Sequence, residues 1–177
     1  MPRLVIRIRA LRHNLAVMHD LCRAAGTECM FVFKEAPLHP RLTAEIMKGS
    51  SVRRLGLVAW PGKAFPAIGG VQIHHVYAPS PMLASQAAGC SCVYIDSLFT
   101  LRTLAQNKNG CAPQIRLCLE AGDGRDGALE EELPELCEAA RLLGLFVRGI
   151  AVNFACLSTD APTLPHLQNA VRALRNI

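Results

Sequence analysis

Lys34 is the residue whose type and position point most directly to covalent chemistry. It follows the apolar run Met30-Phe31-Val32-Phe33, which is typical of a buried strand, and the chain has only four lysines against fifteen arginines. An amine with an accessible neutral form can make a Schiff base with a carbonyl group, whereas a guanidinium cannot. Lys34 is therefore a candidate Schiff-base lysine. The alternative is a strand-end lysine that extends its amine into solvent.

The segment Gly122–Gly127, with the sequence G-D-G-R-D-G, formally matches the G-x-G-x-x-G fingerprint of dinucleotide-binding proteins. Its charge argues against that function, because Asp123, Asp126 and the glutamates at 130–132 place negative charge where a pyrophosphate would bind a helix N-terminus. We favour a glycine turn that holds Arg125 over the strand ends. There its guanidinium can donate hydrogen bonds to an anionic or phenolate oxygen.

Asn153 lies near the end of the apolar run from Phe146 to Phe154. An asparagine at a strand end can turn the chain through its own backbone contacts. It can equally donate a hydrogen bond to a flat ligand. The spacing leaves both interpretations open.

The eight cysteines do not form the pattern of a disulfide framework or a metal site. Cys118 lies inside an apolar segment, where a thiol behaves as a small hydrophobic group. Cys90 and Cys92 with His74 and His75 are an alternative set of zinc ligands, but they lack the second pair at finger or ribbon spacing. We therefore expect no metal site.

Short apolar runs alternate with segments of helical periodicity, which predicts a mainly parallel sheet covered by helices. The expected strands are 4–8, 30–33, 55–60, 73–77, 92–95, 114–119 and 146–154. Six strand-helix units follow from Met30 onward, and the last ends in a helix over 164–174. A doubly wound sheet and part of a (β/α)8 barrel both fit. In either architecture, chemistry gathers at the carboxyl ends of the strands.

Composition restricts the class of protein. The 177 residues are 51% hydrophobic and 19% charged, which indicates one folded domain over 1–177. The net charge is +5, but the basic residues are scattered singly, so we expect no nucleic-acid partner. No apolar stretch is long enough to span a membrane, and arginines interrupt the N-terminal segment too often for a signal peptide. We expect a cytoplasmic location.

Several of these segments, taken in order, resemble the alanine racemase N-terminal-domain family of fold-type III pyridoxal-phosphate proteins. The closest likeness is to its ornithine-racemase-like predicted amino-acid racemases. The matching segments are 4–6 with Leu11-Arg12-His13-Asn14-Leu15, Phe33-Lys34 followed by Pro40, Asp96-Ser97-Leu98 with Thr100-Leu101, the stretch 116–127, and Gly149-Ile150-Ala151-Val152-Asn153-Phe154-Ala155-Cys156.

The resemblance implies a (β/α) TIM-barrel fold and pyridoxal 5'-phosphate as cofactor, with Lys34 as the internal aldimine. Arg125 and Asn153 are implied to lie near the cofactor ring. It also implies an amino-acid substrate, whose Cα proton the freed Lys34 would remove as a base. Racemisation needs a second proton donor on the opposite face, for which His39 and Cys156 are candidates.

Six units also predict an incomplete barrel, because a (β/α)8 barrel has eight and typically needs about 250 residues. The phosphate-binding loops after strands seven and eight would then be missing. Alternative functions are a catalytically inactive cofactor-binding homologue, or one half of a split barrel. An open barrel leaves strand edges that invite pairing, so we expect a homo-oligomer or a complementing C-terminal chain.

Overall fold

The structure is a computed structural model of the chain. It describes residues 5–34, 39–58, 68–76, 87, 89–108, 112–122, 124, 126–154 and 162–177. The helices are α1 (Ile8–Ala24), α2 (Pro40–Met47), α3 (Leu98–Asn107), α4 (Leu133–Leu142) and α5 (Leu164–Arg175), with a 3-10 turn at Glu130–Glu132. The strands are β1 (Met30–Val32), β2 (Arg54–Leu57), β3 (Gln72–His75), β4 (Cys92–Ile95), β5 (Gln114–Leu119) and β6 (Phe146–Val152).

The strands form a six-stranded sheet in the order of the chain, β1 to β6. The pairs β1–β2, β4–β5 and β5–β6 are parallel. This α/β fold is consistent with an incomplete TIM barrel, so the predicted fold class is confirmed. Residue contacts divide the chain into two compact units, 1–74 and 75–177.

The first unit is held together by a core between its sheet and helices α1 and α2. Phe31 and Phe33 stack with their ring centroids 5.8 Å apart and pack on this core. Val32, between them, is exposed on the opposite face of β1. The buried residues are Leu15, Ile46, Met47, Val52, Leu55 and Leu57.

The second unit buries one face of β4 and β5 and the inner faces of α3 and α4. In β5 the side chains of Ile115, Leu117 and Leu119 are buried, while Arg116 and Cys118 alternate with them. The buried helix residues include Leu101, Leu104, Leu133, Leu136 and Ala140. A register shift between Ile115 and Arg116 marks an irregularity in the pairing of β5 with β6.

The expected strand over 4–8 is wrong in the described part of the chain. Residues 5–7 form neither helix nor strand, and Ile8 begins α1; Leu4 lies outside the described residues. The apolar residues Ile8, Leu11 and Leu15 recur at helical spacing, so the helix extends back over the end of the run. The six later strands agree with the prediction within two residues wherever the structure describes their ends; residues 59, 60 and 77 of the predicted strands lie outside the described residues.

Candidate functional site

Lys34 lies just beyond the carboxyl end of β1. The ladder continues one residue past the strand, because Phe33 N–H donates to the Gly56 carbonyl over 3.3 Å. Lys34 itself is exposed, and within the described residues its amine makes no hydrogen bond or ion pair. The amine is therefore accessible to a ligand at this end of the first unit.

The helix that follows Lys34 in the chain is α2. Residues 35–38 lie outside the described part, and His39 is the residue that precedes the helix. Its carbonyl accepts hydrogen bonds from Thr43 N–H at 3.0 Å and Thr43 Oγ1 at 3.1 Å. Pro40 occupies the first turn, where its fixed φ favours helix initiation. His39 is exposed at this fixed position.

Three polar residues follow neighbouring strands at one edge of the second unit. Asp96 follows β4, Glu120 follows β5 and Asn153 follows β6. The pairing of Ile95 with Leu117 and of Leu119 with Val152 brings the carboxyl ends of these strands together. Asn153 is exposed there. Sequence reasoning identified Asn153 but gave Glu120 no role, because its role depends on the loop that it binds.

Glu120 organises the glycine-rich loop. Its Oε1 accepts hydrogen bonds from the backbone N–H groups of Gly122 and Gly124, the latter at 3.2 Å. The loop then returns to the strand, where Ala128 N–H donates to the Cys118 carbonyl at 2.8 Å and Glu120 N–H donates to the Ala128 carbonyl at 2.9 Å. Asp123 and the predicted ligand Arg125 lie outside the described residues.

This arrangement disfavours a dinucleotide phosphate site. The amide groups of Gly122 and Gly124 are occupied by a carboxylate of the same chain. The next α-helix begins only at Leu133, after a 3-10 turn of three glutamates. A phosphate would therefore find these two described amides occupied and no α-helix N-terminus directly after the glycines.

Cys118 lies in β5, two residues before Glu120. Burial raises the pKa of its thiol to about 12, and the nearby carboxylates of Asp96 and Asp126 add to the effect. The thiol therefore stays protonated at neutral pH and is a poor nucleophile. This agrees with the expectation that it behaves as a small hydrophobic group.

A cavity of about 210 Å³ opens beside the ends of β5 and β6. Phe154 and His166 both line this cavity, and their rings stack with centroids 5.9 Å apart. His166 Nδ1 accepts a hydrogen bond from Thr163 N–H at 3.1 Å, which fixes the imidazole at the first turn of α5. Sequence reasoning missed His166, although its spacing from Thr163 is that of a capping pair.

The other ligand sets considered from sequence find no support in the described part. There, no group of three or more His, Cys, Asp or Glu side chains could hold a metal ion. Six cysteines of the described segments are free thiols: Cys22, Cys29, Cys90, Cys92, Cys118 and Cys137. None of the helices in the described segments is both long and apolar enough to cross a membrane.

The parallel strand-helix units, with polar side chains at the strand ends, define an α/β protein of the (β/α)-barrel type. The model of one family matches residues 6–177: alanine racemase, N-terminal domain. The chain therefore belongs to that family, as its sequence motifs predicted. No curated protein matches its sequence.

Solved structures agree with this fold. Alanine racemase from Streptomyces lavendulae is 23% identical with a TM-score of 0.69, over 96% of this chain and 46% of that one. The Paramecium bursaria Chlorella virus arginine decarboxylase bound to agmatine is 15% identical with a TM-score of 0.65, over 96% and 46%. A mutant of SrLDC in complex with PLP is 15% identical with a TM-score of 0.66, over 99% and 47%. The chain thus spans about half the length of these proteins.

The loop geometry predicts a strong requirement for glycine at residue 127. Gly127 has φ +132°, and a Cβ there would lie 2.5 Å from the Glu120 nitrogen. We expect Gly127→Ala to lower the free energy of unfolding by about 2–4 kcal/mol, measured by urea denaturation. Gly124→Ala is the matched control: its φ is +63° with no atom within 4 Å, so it should cost about 1 kcal/mol. Equal losses for both variants would contradict the close approach.

The environment of Cys118 predicts slow alkylation. With a pKa of about 12 instead of 9.0, its thiolate fraction at neutral pH is lower by roughly a thousandfold, and iodoacetamide should label it more slowly by a similar factor. Mass spectrometry of native and urea-unfolded protein measures this difference. Asp96→Asn should speed labelling because it removes a nearby negative charge, whereas Asp20→Asn, in the first unit, should not. Labelling of native Cys118 at the unfolded rate would refute the prediction.

Proposed function

We propose that this protein binds pyridoxal 5'-phosphate through Lys34 and acts on amino acids as a racemase-like isomerase. The observation that carries the proposal is the exposed, unpaired amine of Lys34 just beyond the end of β1, in a chain of the alanine racemase N-terminal-domain family. Such an amine is free to react with the cofactor aldehyde. A location in the cytoplasm is part of the same proposal.

The residues of the first unit fit an aldehyde-bearing ligand. Phe31 and Phe33 anchor β1 in the core, so the backbone that carries Lys34 is held firmly while its side chain remains accessible. His39 is fixed a few residues further on, at the start of α2, by its contacts with Thr43. A lysine on a strand end that is packed on a core is a suitable anchor for a covalently held cofactor.

Asn153 and Arg125 are the other proposed cofactor contacts, and these assignments rest on the family resemblance. Asn153 is exposed after β6 and can donate its amide hydrogens to a ring substituent. Arg125 is proposed as a donor to an anionic or phenolate oxygen. The hydrogen bonds from Gly122 N–H and Gly124 N–H to Glu120 support this role, because they hold the residue that directly precedes Arg125.

In the proposed reaction the protein binds an amino acid and moves its Cα proton. Pyridoxal phosphate, when bound, supplies an electron sink that acidifies this proton. Lys34 holds the cofactor at rest, and its freed amine accepts the proton on one face of the substrate. His39 and Cys156 are the candidate donors on the other face, and Cys156 lies outside the described residues.

A second candidate function is a cofactor-binding protein that works only with a second copy or a complementing chain. Apolar side chains exposed on β6 and α5 favour it, since Phe146 is 61% and Leu164 is 66% exposed. Leu167, Val171 and Leu174 continue the same stripe along α5. Monomeric proteins rarely leave such a stripe uncovered.

Cofactor binding by Lys34 predicts a specific spectroscopic result. Adding pyridoxal phosphate to the purified protein should produce an absorbance band near the visible, and borohydride reduction should attach the cofactor covalently to Lys34. Lys34→Ala should abolish both, whereas Lys48→Ala, an exposed lysine of the same unit, should keep them. A wild-type protein without the band, or with the label elsewhere, would refute binding through Lys34.

The two candidate functions differ in their dependence on assembly. Light scattering coupled to size exclusion, with a racemisation assay on the separated species, distinguishes them. Activity in a well-folded monomer would exclude the function that requires a partner. Activity confined to an oligomer would favour it.

A further inference from the structure

The first unit contains a cavity of about 340 Å³ at the opposite end of its strands from Lys34. Its walls come from the segments that precede β1, β2 and β3 and from the last turn of α1. The lining residues include Arg23, Glu28, Ser51, Arg53, Arg54 and Gln72. This volume lies in the range of small-molecule sites.

The charge of this cavity is strongly one-sided. Three arginines and one glutamate line it, so these four side chains together carry a net charge of +2. Arg54 forms an ion pair with Glu28. The two remaining guanidinium groups, of Arg23 and Arg53, have no carboxylate partner within the described residues.

The guanidinium groups of Arg23 and Arg53 line the same cavity. Arg53 donates from Nη1 to the Ser50 carbonyl at 2.9 Å, which fixes its side chain and leaves its other N–H groups for a ligand. Arg23 lies at the end of α1, where Thr27 N–H closes the turn on the Cys22 carbonyl at 2.9 Å. Ser51 and Gln72 add neutral donors to the lining.

We propose that this cavity binds a small phosphorylated anion, independently of the chemistry at Lys34. Two guanidinium groups without a carboxylate partner match the charge of a phosphate dianion, and a guanidinium can donate two parallel hydrogen bonds to a phosphate. Scattered surface arginines would instead face separate regions of solvent. Here Arg23 and Arg53 line the same cavity. Glu28 is the only carboxylate residue among the lining residues that the structure describes, and it already forms an ion pair with Arg54.

Inorganic pyrophosphate is the test ligand, titrated by isothermal calorimetry at low ionic strength, where charge interactions are least screened. Wild-type protein should bind it in a saturable manner. The double variant Arg23→Ala/Arg53→Ala should bind at least about tenfold more weakly, since it removes both free guanidinium groups. Glu28→Gln should bind several times more tightly, because it removes the one negative charge of the lining and frees Arg54.

Two controls locate the effect. Arg9→Ala removes the same charge from an exposed position near the start of α1, outside the cavity, and should leave binding within about twofold of wild type. Lys34→Ala should also retain binding, which separates this site from the proposed cofactor site. The proposal is overturned if wild type does not bind, if the double variant binds like wild type, or if Arg9→Ala loses as much as the double variant.

Discussion

The strict alternation of side chains along the parallel strands is the constraint on which the rest of this structure depends. In β5, Ile115 and Leu117 are completely buried, and this burial fixes which face the strand turns toward the helices. Arg116 and Cys118 therefore lie on the other face of β5, and Glu120 follows the end of the strand. A slip of one residue would turn Arg116 toward the helices in place of Ile115 or Leu117, so the packing of these side chains favours the observed register.

That constraint explains how much of the fold could be predicted from sequence. Strands β1 to β6 are short runs rich in apolar residues, and such runs are visible in the sequence as apolar segments between turn residues. Residues 4–8 carry a run of similar composition, yet Ile8 begins α1. Leu15, seven residues after Ile8, is the α1 residue that is buried in the core. Helical spacing places Ile8 and Leu15 on the same face, whereas a strand would place them on opposite faces, so residue 8 belongs to the helix.

The candidate site was predictable only where it depends on strand ends. Lys34 and Asn153 follow short apolar runs that form strands β1 and β6, so their positions at strand ends can be counted along the sequence. The function of Glu120 could not be found in this way. It arises because Gly122 and Gly124 adopt positive φ values that turn their N–H groups toward one carboxylate. Such a conformation is a property of the folded loop, and the sequence alone showed only the presence of glycines.

In the first unit, the proposed cofactor lysine, Lys34, and the proposed anion cavity lie at opposite ends of the same strand. Residues 29 and 34 are five positions apart, which corresponds to about 16 Å of extended chain at ~3.3 Å per residue. This exceeds the Debye length of about 8 Å at physiological ionic strength, so the charges of the exposed guanidinium groups are largely screened over that distance. An anion bound there can influence Lys34 only by shifting β1 itself. Because Phe31 and Phe33 fasten that strand to the core, such a shift requires the core to repack, and the two ends are therefore energetically almost independent.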